Sequence, residues 1–212
     1  MACKIDINNR YIEEEEVRKD YIPYMRYAEC IINTFNMKEI ESFCDIGCAT
    51  GHLLYYLKTF NNNLRIKGYE YFEYHKNSKY CKDLIRDKIE INDIRNELSE
   101  DIEKYDLVNC SEVGEHIDKN YADILINNAK KLSNKYIIFT WSSHGGENER
   151  HCDPNHQHLN PLSRAQYIQL MTKHNLKPNI ELTKIFLNTS NNFNTREFYP
   201  WWKESFIILE KY

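Results

Sequence analysis

The sequence predicts an α/β fold: a mostly parallel, doubly wound sheet of seven strands with an antiparallel edge strand and N-terminal capping helices. Three observations carry this. The segment Phe43–Leu57 reads as a buried strand ending in an acid, a small-residue turn and an apolar-faced helix. Further apolar runs at Ile66–Glu70, Lys88–Ile94, Tyr105–Cys110 and Tyr136–Thr140 alternate with helical patterns. A last pair of apolar stretches, Ile180–Leu187 and Ser205–Glu210, predicts the closing antiparallel strands.

Residues 11–36 place Val17, Tyr21, Tyr24, Met25, Ala28, Ile31 and Ile32 at helical spacing, after an acidic run from Glu13 to Glu16 that suits a first turn. Pro23 is expected to mark a helix start or break. Helices are expected after Gly51, over about 73–86, over about 117–132, and from Leu162 to His174 with Ser163 as cap. The Tyr136–Thr140 run is apolar on both faces, as a central parallel strand requires.

With 212 residues, the chain suits one domain spanning 1–212, whose first 40 residues are expected to form a helical cap over the ligand cleft of such a sheet. The net charge of −4 argues against a broad nucleic-acid face, and no DNA partner is expected. No apolar run reaches membrane-span length, Met1-Ala-Cys-Lys lacks a signal-peptide core, and no membrane partner is expected. Seven cysteines without a C-x-x-C pair read as buried thiols of a reducing, cytoplasmic compartment.

The turn Asp45-Ile-Gly47-Cys48-Ala49-Thr-Gly51 is a nucleotide-cofactor turn, because glycines let the backbone approach a ligand above a helix start. Cys48 and Ala49 fill its interior where a dinucleotide fingerprint would differ, and Ala49 fits if its φ is negative. Glu70 ends the second strand about 20 residues on, where doubly wound folds place an acid on ribose hydroxyls. D-x-G-x-x-x-G-x-L resembles motif I of the class I S-adenosylmethionine (SAM)-dependent methyltransferases, which are Rossmann-like, and the resemblance covers nearly the whole chain. It implies SAM as cofactor, held by Asp45, Gly47, Cys48, Gly51, Glu70, Tyr71 and Ser111, with Asp93 at the adenine edge and Ile94 packing on the ring.

A second constellation follows the fourth strand. If a helix begins at Glu112, then Glu112, Glu115 and His116 share one face at i, i+3 and i+4. Two carboxylates and an imidazole suit Mg²⁺ or Mn²⁺, while zinc would call for more nitrogen or sulfur. The same residues also suit a metal-free brace on the cofactor loop. The loop after Thr140 then concentrates four of the eight histidines: His144, His151, His156 and His158.

Glu112-x-x-Glu115-His116, His156-Gln-His158 and Ser163-Arg164-Ala-Gln-Tyr167 together resemble the metal-dependent small-RNA 3′-terminal 2′-O-methyltransferases. The first motif is also similar to ubiquinone-pathway O-methyltransferases. The resemblance implies Glu112, Glu115, His116 and His158 as metal ligands, and His156 beside His116 in catalysis. The chain departs from that family in its acidic balance and in lacking an evident RNA-binding extension. Its His144-Gly-Gly-Glu stretch and aromatic tail Phe198-Tyr-Pro-Trp-Trp202 have no counterpart there.

Together these features predict metal-assisted methylation of a hydroxyl on a glycan or small sugar diol. An RNA 3′-terminal ribose is the alternative acceptor, and a non-catalytic SAM-binding module serving a partner is the alternative of another class.

Overall fold

The computed structural model describes residues 14–143, 158–194, 197–198 and 200–211, with backbone alone for 14–21 and 201. In chain order the elements are α1 (Glu14–Thr34), β1 (Ser42–Ile46), α2 (His52–Phe60), β2 (Arg65–Glu70), α3 (Glu73–Asn77) and α4 (Asp83–Arg86). Then come β3 (Ile89–Ile91), β4 (Tyr105–Ser111), two single 3₁₀ turns (Gly114–His116 and Lys119–Tyr121), α5 (Ala122–Leu132) and β5 (Ser133–Thr140). The chain closes with α6 (Arg164–Lys173), β6 (Leu176–Pro178), α7 (Ile180–Ser190), α8 (Pro200–Ser205) and β7 (Ile207–Lys211).

The strands form one seven-stranded sheet in the order β3-β2-β1-β4-β5-β7-β6. The pairings from β3 through β5 are parallel, and β7 runs antiparallel to both β5 and β6. This is the expected mostly parallel sheet with its antiparallel edge.

Side chains alternate between two cores, as the period of a strand demands. Phe43, Leu107, Ile138 and Ile208 pack with α1, α2, α7 and α8. Cys44, Val108, Ile137, Phe139 and Leu209 pack with α5 and α6 on the other face. All five residues of β1 are buried, which is the burial of a strand covered on both sides. The strand order reverses between β1 and β4, so the carboxyl ends of these two strands form the crevice where open α/β sheets take ligands.

Four expectations are corrected. Residues 180–190 form α7, not a strand: Asn179 caps the helix by accepting from Leu182 N at 2.8 Å, and Thr183, Phe186 and Ser190 are buried at helical spacing. The closing pair is instead β6 with β7. The expected helix over 73–86 is two short helices, because the Arg86 guanidinium donates to the carbonyls of Lys76, Ser78 and Cys81 and so satisfies the break. Pro23 neither starts nor ends α1, which runs through it at the loss of one helix hydrogen bond. The helix over 117–132 begins only with a 3₁₀ turn at Lys119, capped by the Asp118 side chain.

Candidate functional site

The turn after β1 is locked to the end of β2. Gly47 N and Cys48 N both donate to Tyr69 O, at 2.8 and 3.2 Å. Gly47 has φ +71°, and a Cβ there would lie 2.4 Å from Val113 Cγ2. Glycine is therefore needed twice over, for its backbone conformation and for close approach.

Ala49 has φ +47°, which corrects the expectation of a negative angle. The strain of a left-handed alanine, about 1–2 kcal/mol, is opposed by Glu70, whose Oε2 accepts from Ala49 N at 2.7 Å. Glu70 Oε1 accepts from Phe72 N at 2.9 Å, and His75 Nδ1 lies 3.2 Å away. Burial would raise the Glu70 carboxyl, but His75 and the two N–H donors outweigh it and hold the group below its usual value.

Beneath the turn lies a polar network that the sequence did not disclose. Asp45 and Asn109 are register partners across β1 and β4, and Asn109 Nδ2 donates to Asp45 Oδ1 at 2.7 Å. Tyr27 of α1 donates to Asn109 Oδ1 at 3.1 Å and lies 2.8 Å from Ser111 Oγ. Burial drives the Asp45 carboxyl up to about 7 against the pull of the Asn109 amide, with the Glu70 charge adding to the rise. The aromatic tail backs this network: Trp202 meets the Tyr27 ring edge-on at 4.7 Å and Phe198 stacks on it at 5.9 Å. Phe198 and Trp202 are thus core residues.

On the neighbouring strand ends, Tyr71 is exposed, Ile94 is buried, and the Asp93 carboxylate is held by Arg95 below its usual pKa. The expected cofactor residues lie at or just beyond the carboxyl ends of β1 to β4.

The Glu112 segment departs from expectation. No α-helix begins there: Glu112 has φ +54°, and only a 3₁₀ turn follows over Gly114–His116. Two contacts with the end of β5 impose this path. Glu112 N donates to Thr140 Oγ1 at 2.9 Å, and Gly114 lies so close to the Trp141 ring that a Cβ would sit 2.5 Å from it. Convergence of the motif is therefore produced by a bend, not by a helix face.

That bend brings Glu115, His116 and His158 together, with one ligand atom from each lying within 4.8 Å of the others. The His116 and His158 rings meet edge-on, with centroids 4.9 Å apart. Asn160 pins the segments to each other: its N donates to Glu115 O at 3.0 Å, and its carbonyl accepts from Trp141 Nε1 at 2.7 Å.

Glu115 is fully buried, and desolvation together with the Glu112 carboxylate raises its pKa well above the usual range. Glu112 neighbours Glu115 but stands outside the three-residue cluster. His156, with His144 and His151, lies outside the described residues. Beside the cluster, Ser142, Arg164 and Glu204 border a cavity of about 110 Å³. Ser163 caps α6 in a reciprocal box with Gln166, as its place in the sequence predicts.

The functional side chains missed in the sequence are Asn109, Tyr27 and Thr140. A lone amide within an apolar strand was the one available signal, at Asn109.

Solved structures share this fold. A SAM-dependent methyltransferase from Clostridium acetobutylicum aligns at TM-score 0.50 and 17% identity over 64% of this chain, which spans 57% of that enzyme. The plantazolicin methyltransferase BpumL in complex with SAH aligns at TM-score 0.56 and 16% identity, over 97% of this chain and 94% of BpumL. The N-terminal domain of EvdMO1, in the presence of SAH and D-fucose, aligns at TM-score 0.55 and 16% identity, over 74% of this chain and 76% of that one. No curated protein matches the chain in sequence. The model of the methyltransferase domain family matches residues 15–182, and the chain, which has the fold of SAM-dependent methyltransferases, belongs to that family.

Proposed function

We propose that the chain is a SAM-dependent O-methyltransferase that methylates a hydroxyl of a sugar or comparable vicinal diol with the help of Mg²⁺ or Mn²⁺. The observation that carries the metal-assisted reading is the convergence of Glu115, His116 and His158. These residues fit a hard or borderline cation: the buried Glu115 carboxyl has the Glu112 carboxylate as its neighbour, and a cation there would offset their mutual repulsion.

The cofactor roles follow the motif resemblance. The backbone of Gly47–Gly51 would run past the methionine part of SAM, with Asp45 and Ser111 beneath it and Glu70 toward the ribose. Tyr71, Asp93 and Ile94 would take the adenine. Tyr27 of α1, bonded under the turn, supports reading the N-terminal segment as the cap of a single domain over 1–212.

Glu115, His116 and His158 would hold the ion, with Glu112 contributing charge from beside Glu115. When bound, such an ion lowers the pKa of a diol hydroxyl and directs its oxygen. His156 is the proposed base for the hydroxyl proton, with His116 orienting the same edge of the acceptor. Because the sulfonium already activates the methyl, the remaining work of the chain is alignment and exclusion of water.

The acidic balance and the presence of D-fucose with the EvdMO1 domain support a sugar acceptor. An RNA 3′-terminal ribose 2′-hydroxyl is the second reading, favoured by the His156-Gln-His158 and Ser163–Tyr167 motifs. The buried thiols Cys30, Cys44, Cys48, Cys81 and Cys110 support a reducing, cytoplasmic setting. Among the described residues, no helix is long and apolar enough to cross a membrane.

The test is transfer of labelled methyl from SAM to methyl glycosides of vicinal-diol sugars and to short RNA, with Mn²⁺ or with EDTA. Label on the glycosides that EDTA abolishes is the expected result. Label confined to RNA selects the second reading, and transfer unaffected by EDTA overturns metal assistance.

A further inference from the structure

Arg95 has no role in the function proposed above, yet its guanidinium is held on several sides beyond the carboxyl end of β3. Its Nε donates to Asp93 Oδ1 at 2.8 Å and its Nη2 to Asp93 Oδ2 at 2.7 Å, a fork matched to both carboxylate oxygens. Arg95 N also donates to Asp93 Oδ1, at 3.0 Å. The guanidinium carbon lies 5.0 Å from the Tyr71 ring centroid and 5.9 Å from that of Tyr121. Both rings are substantially exposed, Tyr71 at 52% and Tyr121 at 41%. One cation thus ties together the chain after β2, the chain after β3 and the turn before α5.

We propose that Arg95 is a positioning residue that sets base specificity: it aims the Asp93 carboxylate beside the Tyr71 face, so that the site selects a purine carrying an amino group at position 6. This deepens the SAM reading and rests on the placement of adenine at Tyr71, Asp93 and Ile94. An ionised carboxylate only accepts hydrogen bonds. A 6-amino purine donates at that edge, whereas a 6-oxo purine presents a second acceptor and is repelled. Asp93 is ionised at neutral pH in any case; the fork adds direction. A lone carboxylate on the partly exposed loop after β3 rotates freely, and one gripped at both oxygens by a guanidinium lying over the Tyr71 ring does not. Lysine offers a point charge without a planar fork, so it cannot replace arginine here.

The experiment is calorimetric binding of S-adenosylhomocysteine and S-inosylhomocysteine to the parent, Arg95→Lys, Arg95→Gln and Asp93→Asn, each checked for a cooperative thermal transition. The parent is expected to favour the adenosyl ligand by about tenfold or more, the scale of one hydrogen bond to a charged group. Arg95→Gln and Arg95→Lys are both expected to lose most of that preference. Asp93→Asn, which can donate as well as accept, is expected to erase it. A parent-like preference in Arg95→Gln overturns the proposal. So does tighter adenosyl binding in that variant, because Arg95 would then be obstructing the slot. A parent that binds neither ligand fails earlier, at the SAM reading itself.

Discussion

The Glu70 carboxylate accepts from the backbone N–H of Ala49 at 2.7 Å across 21 residues of sequence, and so an acid at the end of β2 holds a left-handed alanine in the turn after β1. The turn after β1 and the end of β2 are one unit.

Glu70→Gln is therefore expected to cost about 1–3 kcal/mol, the scale of lost charged hydrogen bonds at a buried site. Because the folded-state pKa of Glu70 is depressed, its contribution is present above the unfolded value of 4.5 and fades as pH falls below it. Urea melts of parent and variant should differ at pH 7 and converge toward pH 3. In the Glu70→Gln background, Ala49→Gly should recover part of the loss by removing the strain. A parent-like melt for Glu70→Gln at pH 7 would show that the brace is idle.

His52, buried at the start of α2 with Nδ1 3.2 Å from Thr50 Oγ1, is pushed down from 6.5 to about 4 by burial, with the Lys82 charge adding to the fall. Between those values the unfolded chain binds a proton that the folded chain refuses, so stability drops as pH falls through the window. Crossing all of it costs on the order of 3 kcal/mol. His52→Gln should lose less stability than the parent between pH 7 and pH 4.5. Parallel losses would refute the assignment.

Gly114 is the tightest point of the Glu112–His116 loop. Gly114→Ala forces a methyl to within 2.5 Å of the Trp141 ring, and overpacking of this kind costs about 1–3 kcal/mol. Because Glu115 and His116 follow directly, Mn²⁺ affinity should fall with stability. Thermal melts with and without Mn²⁺ would separate the two losses; unchanged Mn²⁺ binding would detach the loop from the site.

Glu115 is buried beside another carboxylate, an unfavourable arrangement without a cation. In metal-free buffer, Glu115→Gln should melt higher than the parent by about 1–3 kcal/mol in stability, the burial penalty relieved. With Mn²⁺ the order should reverse, since only the parent gains from binding. A variant less stable than the metal-free parent would contradict this reading of the pair.

The sequence displayed the parts of this site whose signal is local. Asp45, Glu70 and Asp93 each fall at or just after an apolar run and before a turn, and that alternation predicts a mostly parallel sheet. It concealed whatever depends on distant contacts. The path of Glu112–His116 is set by Thr140 and Trp141, more than twenty residues onward, so the motif could be read but not its conformation. The Asp45–Asn109 bond needs the register of β1 on β4. Ile180–Leu187 is apolar enough for either element, and only the Asn179 cap and the sparse burial of Thr183, Phe186 and Ser190 decide for a helix.

The central claim is that Glu115, His116 and His158 hold a divalent ion, and the most direct measurement is calorimetric titration of Mn²⁺ into the protein saturated with S-adenosylhomocysteine. The parent should show one site of micromolar affinity, lost in Glu115→Ala/His116→Ala. A parent that binds no Mn²⁺ would contradict the metal-assisted mechanism and leave a metal-free methyltransferase whose Glu115 and His116 only brace the cofactor loop.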